Sequence, residues 1–216
     1  SGLTTNFEKT SFVRFSWNKL KSLGIPFVIY TAVNLVLWPV AKGKVFSDFW
    51  CNFLAVGWEG VALWFIPVLF FALVVAKIVS LVKNMRIKYT LILLLPVISG
   101  VLCYFHLMLP WNLSVVPLAS FFIMTGDFCK RYMEGLSSLH WERWYRLIIS
   151  LVVFVCISQL WRMDMAWNNV LPMVPKIIAA LCGCYCVAKA SVVIVERIPL
   201  FSKIMKAVGR ETYIIL

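Results

Sequence analysis

The chain has 216 residues, 62% hydrophobic and 14% charged, with a mean hydropathy of +0.89. A soluble domain is about 45–50% apolar and about 25% charged, and a single globule of this size has too little interior to hide the surplus, which excludes an ordinary water-soluble fold. The formal net charge of +12 would suggest nucleic acid in a soluble protein, but here the basic residues stand between long apolar runs, where connectors between membrane spans carry them, so no nucleic-acid partner is expected.

In chain order, residues 3–23 form a mixed, basic lead-in with Lys9, Arg14, Lys19 and Lys21. Apolar runs follow at about 25–40, 61–82, 89–108, 113–128, 147–161 and 171–195, and another begins at Tyr213. Runs of about 16–25 residues suit a hydrocarbon core of about 30 Å. Within it each backbone N–H must bond inside its own segment, which makes the runs helices. The predicted fold is all-α: a polytopic transmembrane helical bundle with six full spans plus the start of a seventh. Residues 1–216 read as a single integral-membrane domain. The absence of a starting Met or signal peptide, and the stop at Leu216 inside an apolar run, lead us to expect an internal fragment of a longer chain. Pro67, Pro96, Pro117 and Pro175 fall inside spans and predict kinks.

Loop charge sets the expected orientation. Lys9, Arg14, Lys19, Lys21, Lys83, Arg86, Lys88, Lys130, Arg131, Arg143, Arg146 and the basic stretch 197–210 fall on one side, against Lys42, Lys44 and Arg162 on the other. The heavily basic side is expected to be cytoplasmic, in a bacterial inner (plasma) membrane. Trp38, Trp50, Trp58, Trp111, Trp161 and Trp167 then mark outer span ends, and Trp17, Trp141 and Trp144 inner ones, as an aromatic belt does. Trp64 alone lies clearly inside a span.

Seven cysteines, mostly within apolar runs, do not read as a disulfide framework. Cys182, Cys184 and Cys186 form C-x-C-x-C, with Cys182 and Cys186 on one helix face. Their neighbours are Leu, Gly, Tyr and Val, so packing is expected there and no metal. His106 reads as a satisfied helix-end histidine, His140 as solvated, and Asp127 with Lys130 as a local pair.

The stretch from Phe12 through Arg14, Lys19 and Lys21 to Gly24-Ile25-Pro26-Phe27 resembles the basic lead-in to a membrane span in acyltransferase family 3, integral-membrane O-acyltransferases that modify sugars. Leu63-Trp64-Phe65-Ile66-Pro67-Val68-Leu69-Phe70 is similar to that family's Trp-Phe-Leu run. Gly209-Arg210-Glu211-Thr212-Tyr213-Ile214-Ile215-Leu216 is similar to the start of its last helix, and Ser1-Gly2 to the end of its Phe-x-x-Ser-Gly helix. Ser22 stands where many members carry Arg. The resemblance places the family's catalytic His before Ser1 and another His after Leu216, so no catalytic residue is expected in this stretch and the stretch alone is expected to be inactive.

The resemblance implies transfer of an acyl group, acetyl in many members, from cytoplasmic acyl-CoA to a carbohydrate hydroxyl, with acyl-CoA as a donor substrate and no bound cofactor. Partners would then be membrane lipid, acyl-CoA and a carbohydrate acceptor. Lys and Arg at a cytoplasmic mouth would hold the donor's phosphates. The candidates are Arg14, Lys19, Lys21 and Arg210, each open also to a topology-marking or anchoring role. Lys19 and Lys21 would face differently on a helix. Trp64 and Phe65 would line the acceptor path or else pack between helices, and Glu59 would reach a sugar hydroxyl. A polysaccharide-export or other transporter component is the alternative, although such proteins show internal repeats with broken helices and none is visible here.

Overall fold

In the computed structural model, residues 11–42, 64–107, 109–135, 144–161, 164–165 and 169–197 are described. Among them the chain forms α1 (Phe12–Lys19), a π-turn (Leu20–Gly24), α2 (Ile25–Lys42), α3 (Phe65–Ser80), α4 (Met85–Tyr104), a 3-10 turn (Pro110–Val115), α5 (Val116–Gly135), α6 (Trp144–Leu160) and α7 (Met173–Arg197). The one non-helical pairing among the described residues is an isolated bridge between Asp164 and Asn169. Met85–Tyr104, Pro110–Cys129 and Met173–Ser191 are long and apolar enough to cross a membrane, and Phe65–Ser80 and Tyr145–Leu160 are shorter apolar helices. Large apolar side chains such as Leu93, Leu160, Val174 and Val187 are exposed, an arrangement suited to contact with lipid rather than water.

The chain separates into two compact units, Ser1–Ser137 with Asp164–Leu171, and Ser138–Met163 with Pro172–Leu216. In the first, α3 is the helix that the others share. It packs against α5, α1, the π-turn and the 3-10 turn, around a core of Phe15, Val68, Ala72, Leu73, Ala76, Val79, Val116, Ile123 and Met124. Ala72 and Ala76 form a small-x-x-x-small pair that lets backbones approach closely. Ser120 Oγ uses that approach to donate to Ala72 O at 3.4 Å as well as to Val116 O at 2.8 Å. Helices α4 and α5 run antiparallel, with Ser99 Oγ donating to Ser114 O at 3.2 Å and Tyr89 edge-on to Phe128 at 6.2 Å.

The prolines behave differently from the expectation of four kinks. Of those four, only Pro96 lies in a helix interior. Pro67, Pro117 and Pro175 occupy the second or third position of α3, α5 and α7. There the missing N–H has no partner within the helix in any case, so they start helices rather than bend them. The helix α2 begins at Ile25, where the first span is expected to start, but it is not preceded by a break. Helical structure is continuous from Phe12 to Lys42, with a π-turn just before Pro26. The proline ring crowds the carbonyl four residues back, and the widened turn accommodates that crowding.

The α4–α5 connection is strained. His106, Trp111 and Asn112 have φ of 50°, 54° and 56°, a conformation that costs an L-residue roughly 1–2 kcal/mol. Asn112 is buried, its Nδ2 donates to Met165 O at 2.7 Å, and its Oδ1 accepts from Ser114 Oγ at 3.4 Å. Those bonds and the tolerance of Asn for left-handed backbone hold the turn.

In the second unit α6 and α7 pack together. Ser150 Oγ donates to Cys182 O at 3.3 Å, and Cys186 Sγ lies 4.0 Å from Leu147 O. A Cβ at Gly183 would meet the Phe154 ring at 3.0 Å, so the absence of a side chain there sets the helix spacing.

Two stability predictions follow from these contacts. Gly183→Leu should destabilise the α6–α7 pair by about 1–3 kcal/mol through overpacking, and Phe154→Ala in the same chain should recover part of that loss, as read by thermal unfolding in detergent. Asn112→Ala should cost about 2–4 kcal/mol from the lost hydrogen bonds and added strain, while Asn112→Gly, which relieves only the strain, should cost less.

Candidate functional site

The cationic lead-in presents two faces. Arg14, Trp17 and Lys21 recur at helical spacing on one of them, and all three are exposed. Lys21 Nζ lies 5.3 Å from the Trp17 ring centroid, a cation–π contact of about 0.5–1 kcal/mol at an exposed site. Phe15 and Lys19, four residues apart, share the other face. Phe15 is buried in the core and Lys19 is half-buried. The divergence expected of Lys19 and Lys21 is therefore present: one turns toward the bundle and the other away from it.

The inward face meets a residue that the sequence reading left without a role. Lys77, in the last turn of α3, is 1% exposed, and its Nζ lies 5.9 Å from the Phe15 ring centroid. Its signal was visible in the sequence as a lone cation in an otherwise apolar span, a functional suspect by default. What the sequence could not show is that the lead-in folds back along α3 and covers it. At the other end of the lead-in, Phe27 stands edge-on to Trp111 at 6.5 Å. The sequence map assigns these two residues to opposite ends of their spans. They meet because α1, the π-turn and α2 form one continuous helical run beside α3.

Trp64 and Phe65, the expected acceptor pair, are separated by the start of α3. Trp64 is half-buried against the core and Phe65 is 53% exposed. Their rings are edge-to-face at 6.1 Å. Adjacent helical positions point about 100° apart, so one ring faces the bundle and the other leaves it. His106 is exposed at the end of α4, with its backbone N–H on Cys103 O at 3.0 Å. Asp127 is buried on α5. Arg210, Glu59 and His140 lie outside the described residues, as does the side chain of Lys130. Cys182 and Cys186 are half-buried and Cys184 is exposed. Among the described residues no group of three or more His, Cys, Asp or Glu is placed to hold a metal ion.

The candidate residues thus fall into two groups, an exposed cationic face with half-buried Lys19 and buried Lys77 near the last turn of α3, and two aromatics at its start. They can hold anions and flat or apolar groups, and they offer no nucleophile–base pair among their described members. No curated protein and no solved structure matches the chain. A family model described as an acyltransferase domain matches residues 1–216, and with these apolar helices the chain belongs to acyltransferase family 3 and is a membrane acyltransferase.

Proposed function

We propose that the protein moves an acyl group, acetyl in the first instance, from cytoplasmic acyl-CoA to a hydroxyl of a surface or lipid-linked carbohydrate, as a six-span unit of the bacterial inner membrane with its basic loops cytoplasmic. The observation that supports this most directly is the lead-in, a cationic helix packed along the central apolar helix of a family acyltransferase. A donor carrying several phosphates needs fixed cations beside an apolar passage for its acyl arm. In the transfer the hydroxyl oxygen attacks the thioester carbonyl, a base takes the hydroxyl proton, and the C–S bond breaks to release the thiol. A hydroxyl is too weak a nucleophile at neutral pH to dispense with that base.

The chain's own residues then bind and orient. Lys19, with Arg14, Lys21 and Arg210, contacts the donor phosphates. Trp64, with Phe65 and Glu59, lines the approach of the acceptor. Because Trp64 faces the bundle and Phe65 does not, the indole carries more of that role, stacking its apolar face on a sugar ring.

Full-length protein in vesicles supplied with labelled acetyl-CoA should label a glycan, and label that appears in no carbohydrate would refute the acceptor assignment. In the same assay Lys19→Gln should raise the donor KM several-fold and more than Lys21→Gln does, and Trp64→Ala should lower turnover more than it lowers the amount of folded protein. A single cysteine introduced as Arg143→Cys, in a cysteine-depleted background, should react with an impermeant thiol reagent only after the membrane is opened. Reaction from outside intact cells would reverse the orientation.

A further inference from the structure

We infer that the outward face of the lead-in, with Arg14, Trp17 and Lys21, is a binding site for an anionic phospholipid, whose headgroup phosphate meets the two cations while an acyl chain lies along Val13 and Leu20. The inference goes beyond the transfer reading and does not depend on it.

Two contacts fix the depth of this face. Phe15 stands beside Lys77, in the last turn of α3. Phe27 stands edge-on to Trp111, in the turn that precedes α5 and packs against α3. Ser120 meets Ala72 further along α5, so that turn lies toward the start of α3. The lead-in therefore runs antiparallel to α3, and the backbone of Lys21, midway between Phe15 and Phe27, lies beside the apolar middle of that helix. An exposed cation at that level is disfavoured in hydrocarbon. Side chains on a helix lean toward its N-terminus, and Lys21 Nζ lies a turn back, 5.3 Å from the Trp17 ring centroid. That direction leads toward Arg14 and the last turn of α3, after which Lys83 and Arg86 are exposed. Lys21 thus carries its charge out of the apolar layer toward the headgroups, as a snorkelling lysine does.

The surroundings of the two cations select a lipid. A phosphate of either source, donor or headgroup, satisfies Arg14 and Lys21. A phosphate in water makes no use of an apolar border, and this face has one. Val13, Trp17 and Leu20 are 76%, 56% and 44% exposed, recur at helical spacing and adjoin the cationic stripe. Cations beside exposed Trp and aliphatic side chains are the pattern of a helix at a membrane interface. A phospholipid supplies phosphate and acyl chain together, and a net negative headgroup is favoured over a zwitterionic one by the two positive charges. Phe15 and Lys19, on the opposite face, turn toward the bundle and do not belong to the site.

The test titrates full-length protein in detergent with dioleoylphosphatidylglycerol or dioleoylphosphatidylcholine and reads bound lipid by native mass spectrometry, with the melting temperature alongside. The anionic lipid should bind about tenfold more tightly, and Arg14→Gln and Lys21→Gln should each remove about fivefold of that affinity while leaving the zwitterionic lipid unaffected, as expected for one cation near an anionic surface. Trp17→Ala should weaken both lipids, and Lys19→Gln should stay within about twofold of wild type for the anionic one. Equal binding of the two lipids by wild type overturns the inference, and so does a folded double variant, Arg14→Gln with Lys21→Gln, that keeps the full preference. Inorganic phosphate that raises the melting temperature as much as the anionic lipid does would assign the pair to a soluble anion and overturn the lipid assignment.

Discussion

The close approach of α3 and α5 at Ala72 and Ala76 is the constraint on which the first unit depends. Between helices in lipid the hydrophobic effect supplies no net attraction, and association rests on dispersion and hydrogen bonds at short range. Methyl side chains at both positions let Ser120 reach the carbonyl of Ala72, and they bring Val116, Ile123 and Met124 into one core with Val68 and Leu73. A larger residue at either alanine would hold α5 off, lose that bond and open the core around Phe15. Lys77 is buried in the same unit, with its amine over the Phe15 ring of α1.

The lead-in adds a two-faced helix to this packing. A helix with Phe15 and Lys19 on one face and Arg14, Trp17 and Lys21 on the other can dock its first face and leave the second free. The π-turn at Leu20–Gly24 lets the chain pass into α2 despite Pro26. Wide turns of this kind recur at functional sites, where they change the face that a helix presents partway along its length. One continuous run thereby carries Phe15 to Lys77 and Phe27 to Trp111. Cations thus lie at one end of α3 and aromatics at the other.

Much of the helix content could be read from periodicity and length alone. The apolar runs became helices at nearly the expected places, and Cys182 and Cys186 share the face that meets α6. The proline kinks were misread because hydropathy windows do not locate helix starts to within a turn, and a proline changes meaning between the first turn and the interior. The helical state of the lead-in before Ile25 is hidden for a related reason. Charge marked the lead-in as a connector, while its alternate face, with Phe15 and Leu23, had the spacing of a packed helix. The left-handed backbone at Trp111 left almost no trace, since a bulky residue in that conformation is stabilised by neighbours distant in sequence.

The sequence by itself determined that this chain is helical, apolar beyond what one globule can bury, and built around cationic connectors, because those properties depend on local periodicity and composition. Its ordered motifs also carried the family resemblance that the match over residues 1–216 establishes. Which cations are buried, Lys77 and Lys176 among them, and which of Trp64 and Phe65 faces inward are settled by tertiary packing. Those outcomes depend on which helices touch. Helix contact here is set by a few small residues and a serine hydroxyl, features too sparse to stand out among the leucines and phenylalanines around them.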